Sequence, residues 1–372
     1  MMGQTMSFIG KAWNALGDAA LWAYEDVSIY RQAREPASPI DKAEALQRLQ
    51  QAEYREVERV KDISAADFAE RYLMRRQPVI VTDGLRDWPA RDGWSFDSFS
   101  REFGDMTVQL QDAGFRPGAK AKLGSYLAEV ASRPPVALGE LNRDLDYLRY
   151  TYDSYFKHLL FTWGFGHRVK TDSFSFVAFQ RIREQWRRPY FLPAGGYRIP
   201  WVQVGELQPN ERMCQDWGLY FSAPGACTRL HVDGMRSNAV LCQIAGTKAG
   251  WIFSPSLEGA ARCAAEGKPA DDFPGHGDDA ADRIWRFDLM PGEIMLIPRG
   301  LSHEVHTLSP SISLTYNFVT KGEWQEYFRY KKARGAGWIA GSPISAVPEF
   351  ERIYRGGAGT AAAPADKELH LA

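Results

Sequence analysis

The run Thr228-Arg229-Leu230-His231-Val232-Asp233, followed by an apolar strand and then Ala245-Gly246-Thr247-Lys248, decides how the rest of the chain reads. Its complement comes much later, in Pro291-Gly292-Glu293-Ile294-Met295-Leu296-Ile297-Pro298-Arg299-Gly300-Leu301-Ser302-His303. Side chains on a strand alternate with period two, so His231 and Asp233 point to one face. A second imidazole arriving from a distant strand completes a triangle of two nitrogens and one oxygen. Such a 2-His-1-carboxylate facial triad leaves metal positions open and suits non-haem Fe(II) oxygen chemistry. No cysteine lies beside the pair to favour structural zinc.

The third ligand must be His303 or His306. They are three apart, so on one strand they face opposite ways. His303 follows the Pro-Arg-Gly turn directly, at the mouth of the strand, and shares parity with Val305. His306 shares parity with Glu304 and reads as outward-looking. The expectation is therefore His231, Asp233 and His303.

Lys248, just beyond Gly246, offers one cation for the distal carboxylate of a keto-acid co-substrate. Neutral hydrogen bonds to the same ligand are available from Thr228 and from Thr315 and Asn317. The latter two lie on Ser311–Val319, where small polar residues (Ser311, Ser313, Thr315, Asn317) alternate strictly with apolar ones. A strand with a wholly polar face inside a barrel needs something polar to line.

Outward from this centre, Trp217–Phe221, 239–244, 250–254, 284–288 and 294–298 read as further core strands. Residues 255–283 read as loop, with His276 a solvated loop histidine. Upstream, Ser64-Ala65-Ala66-Asp67 opens a helix to about Arg76, Pro78–Thr82 is a buried strand, 97–103 a short helix and 106–111 a strand. Helices are expected at 125–132 and 142–160. The aromatic and arginine-rich stretch from Phe161 to Tyr190 serves equally well as a substrate-recognition cap or as scaffold. Residues 6–34 have amphipathic helical spacing, and a charged helix follows over about 41–58. The end of the chain reads as a helix over about 322–333 and a disordered Gly/Ala-rich tail. The expected division is a helical extension over 1–60, a catalytic domain over 61–320 with a helical, aromatic and basic insertion at about 121–205, and a helix and tail over 321–372.

With 45 Lys and Arg against 46 Asp and Glu in 372 residues, no global charge announces a nucleic-acid binder. Cys214, Cys227, Cys242 and Cys263 show no paired spacing, which indicates a reduced, cytoplasmic protein, with Cys242 a plain core residue. No run of apolar residues is long enough for a spanning helix, and the N-terminus lacks the pattern of a signal peptide. Helices flanking the core at both ends point to a homodimer.

Taken together, Thr228-x-x-His231-x-Asp233, Gly246-x-Lys248, the Pro291-to-His303 segment and Ser311-Ile312-Ser313-x-Thr315-x-Asn317-Phe318 resemble the JmjC/cupin-like Fe(II)- and 2-oxoglutarate-dependent hydroxylases. The spacings are most similar to the phosphatidylserine-receptor-type lysyl hydroxylase branch. Phe68-x-x-x-Tyr72, Pro78–Val81, Trp88-Pro89 and Trp94 resemble the N-terminal part of such domains, so the likeness covers about 60–320 and is weakest over 115–210. The resemblance implies a mainly β double-stranded β-helix (jelly-roll or cupin) core with helices outside. It implies Fe(II) held by His231, Asp233 and His303, and 2-oxoglutarate bound through Lys248 with Thr228, Thr315 and Asn317 nearby, with O2 as second co-substrate. Two positions depart from the pattern: Leu301-Ser302 replaces an aromatic pair, and Leu241 stands where that branch has an asparagine.

The leading expectation is a dioxygenase hydroxylating an unactivated C–H bond, on a protein or peptide side chain. The alternatives are the same chemistry on a small metabolite or natural-product intermediate, and a non-catalytic cupin-fold binding protein.

Overall fold

Strict polar–apolar alternation along Ser311–Val319 predicts a strand with two differently buried faces, and the computed structural model places that strand inside an eight-stranded sheet. The structure describes residues 39–112, 117–140, 147–149, 177–178, 181–193, 197–198, 217–233, 237–271 and 281–319. In chain order the strands are β1 (Pro39–Ile40), β2 (Glu53–Glu56), β3 (Glu58–Val60), β4 (Val79–Val81), β5 (Thr107–Gln111), β6 (Pro117–Lys122), β7 (Leu148–Arg149), β8 (Tyr197–Arg198) and β9 (Trp217–Ser222). They continue with β10 (Cys227–His231), β11 (Asn238–Ala245), β12 (Lys248–Phe253), β13 (Ala270–Asp271), β14 (Arg283–Leu289), β15 (Ile294–Ile297), β16 (Ser302–Thr307) and β17 (Ser311–Val319). The α-helices are α1 (Lys42–Gln51), α2 (Ala65–Phe68, running into a π-turn over Ala69–Leu73), α3 (Ala90–Gly93), α4 (Phe96–Phe103), α5 (Leu123–Ser132) and α6 (Glu258–Glu266).

Strands β9, β17, β11 and β15 are neighbours in one sheet, and β10, β16, β12 and β14 in the other. Successive strands β9 to β12 alternate between the two sheets, and so do β14 to β17. That winding is a double-stranded β-helix, the expected core. Strands β3 and β4 extend the first sheet beyond β15, and β2 extends the second beyond β14. Period-two patterning then places each side chain. Leu241, Met295 and Ile297 from the larger sheet meet Ile252, Phe287, Leu289 and Val305 from the smaller, forming the inter-sheet core.

The larger sheet is buried on its outer face as well, where Val240, Cys242, Leu314, Tyr316 and Phe221 lie under Phe68, Phe99, Phe103 and Tyr126. Phe221 meets Phe99 edge-on with ring centroids 4.8 Å apart. Each large apolar side chain removed from water in this way contributes roughly 1.5–3 kcal/mol. The described part of the aromatic and basic insertion is scaffold: Trp186, Phe191 and Leu192 are fully buried, and Trp186 contacts Trp88 and Tyr316. On the smaller sheet's outer face, α1 and α6 pack Ala45 against Leu257, Ala260 and Cys263, over Phe253 and Ile284.

Three local expectations fail. The charged helix ends at Gln51, because Ala52 turns to extended backbone. The residues that follow, Glu53–Glu56 and Glu58–Val60, pair as β2 and β3, parallel to β14 and β4. Residues 255–283 are not all loop, since the alanine-rich Glu258–Glu266 is helical and ends at Gly267 with a left-handed φ of 68°. Within the helix expected over 142–160, Leu148–Arg149 instead forms β7 against β9. The helices expected over 6–34 and 322–333, His276 and the tail lie outside the described residues. No helix among the described residues is long and apolar enough to cross a membrane.

Candidate metal and co-substrate site

His231 and His303 are direct partners across the β10/β16 ladder. Residues opposite one another in an antiparallel pair project to the same side, so both imidazoles enter the space between the sheets. Their ring centroids are 4.3 Å apart. Asp233 closes the triangle, with Oδ1 3.7 Å from His231 Nε2 and Oδ2 3.9 Å from His303 Nε2. One ligand atom from each residue lies within 4.8 Å of the others, and this is the one His/Cys/Asp/Glu cluster of metal-binding geometry among the described residues.

The second nitrogen of each ring is fixed. His231 Nδ1 is 2.8 Å from the Arg229 carbonyl and His303 Nδ1 is 3.2 Å from the Leu301 carbonyl. A carbonyl only accepts, so Nδ1 carries the hydrogen in both rings and Nε2 presents its lone pair to the centre of the triangle. This is the arrangement that orients histidine ligands at metal sites. Burial, then the neighbouring His231, push His303 down to about 4, against the opposing effect of Asp233. Burial pushes the Asp233 carboxyl up, but His303 and His231, aided by Asn317, outweigh it and hold the group at about 2. Near neutral pH, His303 is therefore neutral and Asp233 ionised, the forms a metal requires. Asp233 Oδ2 is buried without a hydrogen-bond partner among the described residues. A buried anionic oxygen beside two imidazole Nε2 atoms fits a divalent cation.

His306 is on the other face, as expected, but it does not look out to solvent. It is buried, with Nε2 2.6 Å from Glu304 Oε1 and its ring edge-on to Trp251. Its partner across the ladder is Cys227, four residues before His231.

Lys248 begins β12, just after Gly246, and it is 5% exposed. It pairs with Thr307, Gly250 with Val305 and Ile252 with His303, so Lys248 and His303 share the inner face. Four residues along β16 separate the two ends, about 13 Å. Lys248 Nζ donates to Thr307 Oγ1 at 3.1 Å and to Ser222 Oγ at 3.4 Å. No carboxylate pairs with it among the described residues, and burial lowers it to about 7.

The remaining candidates are spread along the chamber. Asn317 is at the metal end, donating to Ser237 Oγ at 2.9 Å and helping to keep Asp233 ionised. Thr315 is mid-chamber, paired with Leu241 and Gly218. Thr228 Oγ1 is 3.5 Å from Tyr147 OH, and Tyr147 stacks on Tyr220. Leu241 is part of the inter-sheet core, so the position where an asparagine was the alternative is an apolar wall. Sequence reasoning missed Ser222, Thr307, Tyr147 and Tyr220. Parity with His303 flags Thr307, and the alternation of Gly218, Tyr220 and Ser222 with Leu219 and Phe221 flags the inner face of β9.

Comparison with known proteins points the same way. No family model matches the chain. Over 288 residues it is 25% identical to arginine-specific demethylase JMJ20 of Arabidopsis thaliana, covering 71% of this chain and 57% of that protein. It is 23% identical over 284 residues to lysine-specific demethylase JMJ21 of the same plant, covering 71% of this chain and 25% of that protein. It is 22% identical over 285 residues to the 2-oxoglutarate and iron-dependent oxygenase JMJD4 of Gallus gallus, covering 71% of this chain and 60% of that protein. Its homologues are JmjC proteins. The chain thus spans little more than half of JMJ20 and JMJD4 and a quarter of JMJ21. None of these JmjC relatives is named as a lysyl hydroxylase.

Proposed function

We propose that the chain is an Fe(II)- and 2-oxoglutarate-dependent oxygenase that hydroxylates an unactivated C–H bond on a protein or peptide side chain. One observation carries the reading: a His-Asp-His triangle and a buried lysine, with no carboxylate partner among the described residues, share one inner face of the barrel, about four strand residues apart. A metal-binding module with no co-substrate has no need for that lysine. The relatives support the substrate class, since two are named as arginine-specific and lysine-specific demethylases. Where the oxidised carbon is an N-methyl group, the same hydroxylation leads to demethylation.

His231 and His303 would each give Nε2 to the metal and Asp233 its carboxylate, with the Nδ1–carbonyl bonds holding both rings in register. Lys248 would hold the carboxylate of 2-oxoglutarate remote from the metal, its four-carbon stem and the five-carbon acid together covering the distance along β16. Thr228, Thr315 and Tyr147 line the chamber between these ends. Leu241, Ile252 and Val305 keep water out of it, which strengthens each charge contact inside. The oxidising power for the C–H bond is that of bound ferrous ion and keto acid with O2.

Anaerobic titration of the Fe(II)-loaded protein with 2-oxoglutarate tests the reading. A weak visible charge-transfer band is expected, and Asp233→Ala abolishes it. Absence of the band in wild type at saturating iron removes the proposal. Substrate class is tested by succinate formation in the presence of peptides bearing lysine or methylated arginine and lysine. Formaldehyde release separates demethylation from stable hydroxylation.

A further inference from the structure

The hydroxyls that hold the lysine are themselves placed to hold the ligand. Lys248 projects from β12, Thr307 from the neighbouring β16 and Ser222 from β9 in the opposite sheet, so the three close one end of the barrel. Ser222 and Thr307 are almost fully buried. An ammonium has three N–H donors and no acceptor. Two of them are directed at these hydroxyl oxygens, which leaves one. Each hydroxyl oxygen that accepts from Nζ still has its own O–H to donate. Two residues beyond Ser311, the ladder partner of Ser222, Ser313 Oγ is buried with no partner among the described residues.

Resting on the oxygenase reading above, we propose that Ser222 and Thr307 are carboxylate-binding and lysine-positioning residues of the co-substrate site. They present two O–H donors beside the one remaining N–H of Lys248. Thr315 and Asn317, the hydroxyl and amide that sequence reasoning favoured, lie nearer the metal end, and Asn317 is engaged with Ser237. A carboxylate has lone pairs enough for all three donors, and each charge-assisted bond is about twice as strong as a neutral one. The site is complete without metal, so it takes a dicarboxylate on its own, although less tightly.

Calorimetric titration of 2-oxoglutarate into the Zn(II)-loaded and the metal-free protein is the test. Thr307→Val and Ser222→Ala are each expected to weaken 2-oxoglutarate about 5–20-fold in both forms, with Zn(II) affinity within threefold of wild type. Thr307→Ser restores binding. The variants also lose affinity at a lower pH than wild type as pH rises, because an ammonium deprived of its acceptors sheds its proton more readily. Wild-type affinity in Thr307→Val and Ser222→Ala overturns the inference while leaving the oxygenase reading intact. Failure of wild type itself to bind 2-oxoglutarate overturns both.

Discussion

His231 and His303 lie directly opposite each other in the β10/β16 ladder, and each donates Nδ1–H to the carbonyl two residues before it. The pairing depends on an irregularity. Between Thr228 and His231 the register shifts by one residue: three steps on β10 match two on β16 from Val305 to His303. On a regular strand Thr228 and His231 would face opposite sides. The bulge turns both into the chamber, a use of bulges found near active sites.

That geometry makes the ligand set testable. His231→Ala, Asp233→Ala and His303→Ala are each expected to lower Zn(II) or Mn(II) affinity by more than the roughly 10–100-fold typical of losing an outer-sphere partner. His306→Ala keeps metal affinity within a few-fold but lowers thermal stability, because it empties a buried site against Trp251 and removes the hydrogen bond to Glu304. Competition with a chromogenic chelator reads the first effect and a thermal melt the second. Retained metal binding in His303→Ala with loss in His306→Ala would reverse the assignment.

Lys248 gives the site a pH dependence. Its folded value of about 7 lies below the ordinary lysine value of 10.5. Between these limits the unfolded chain holds a proton that the ligand-free folded chain has shed, so this group makes stability rise with pH over that window. A bound dicarboxylate requires the ammonium, so binding takes up a proton. Affinity for 2-oxoglutarate should therefore fall above pH 7, approaching tenfold per unit, and calorimetry in buffers of different ionisation enthalpy should show proton uptake near pH 8. Lys248→Ala should weaken 2-oxoglutarate far more than metal and flatten the pH response. A flat profile in wild type would mean that the ligand's charge is met elsewhere.

Phe221 carries a prediction about stability alone. It is fully buried on the face of β9 turned away from the chamber, against Phe96 and Phe99. Phe221→Ala should cost about 3–5 kcal/mol in urea unfolding. Metal affinity of the folded fraction should stay close to wild type, because Ser222 and not Phe221 faces the site. A loss of metal affinity without a stability cost would place the ring on the wrong side of the sheet.

The core strands and the convergence of His231, Asp233 and His303 were legible because both rest on period two: the parity of His231 with Asp233, of His303 with Val305, and of Thr315 with Asn317 survives any error in strand ends. What parity could not reveal is a break in parity. Thr228 and His231 were both assigned to the site although an odd spacing separates them, and only the bulge reconciles them. Partners supplied by other strands were equally invisible. Ser222 and Thr307 meet Lys248 through the winding of the barrel, and Tyr147 reaches Thr228 from a segment whose local pattern had read as helix. The helix over Glu258–Glu266 was hidden by its glycine and small residues, which read as loop until burial under α1 is known.

Gly250 supplies a last test, because it ties packing to the metal. It sits on β12 between Lys248 and Ile252, opposite Val305. A Cβ built there would lie 2.0 Å from the Glu304 carbonyl oxygen and 2.8 Å from the Phe287 ring. A flexible ring can move aside, but the carbonyl belongs to the backbone of β16, one residue from His303. Gly250→Ala must therefore displace β16 or break its ladder with β12. The expected cost is at least the roughly 1–3 kcal/mol of an overpacked core. Metal affinity should fall with it, since a shifted β16 carries His303 away from His231 and Asp233. Chemical denaturation and metal titration on the same preparation check the pair of effects. A Gly250→Ala protein with lowered stability but unchanged metal affinity would show that β16 is anchored at His303 independently of its contact with β12.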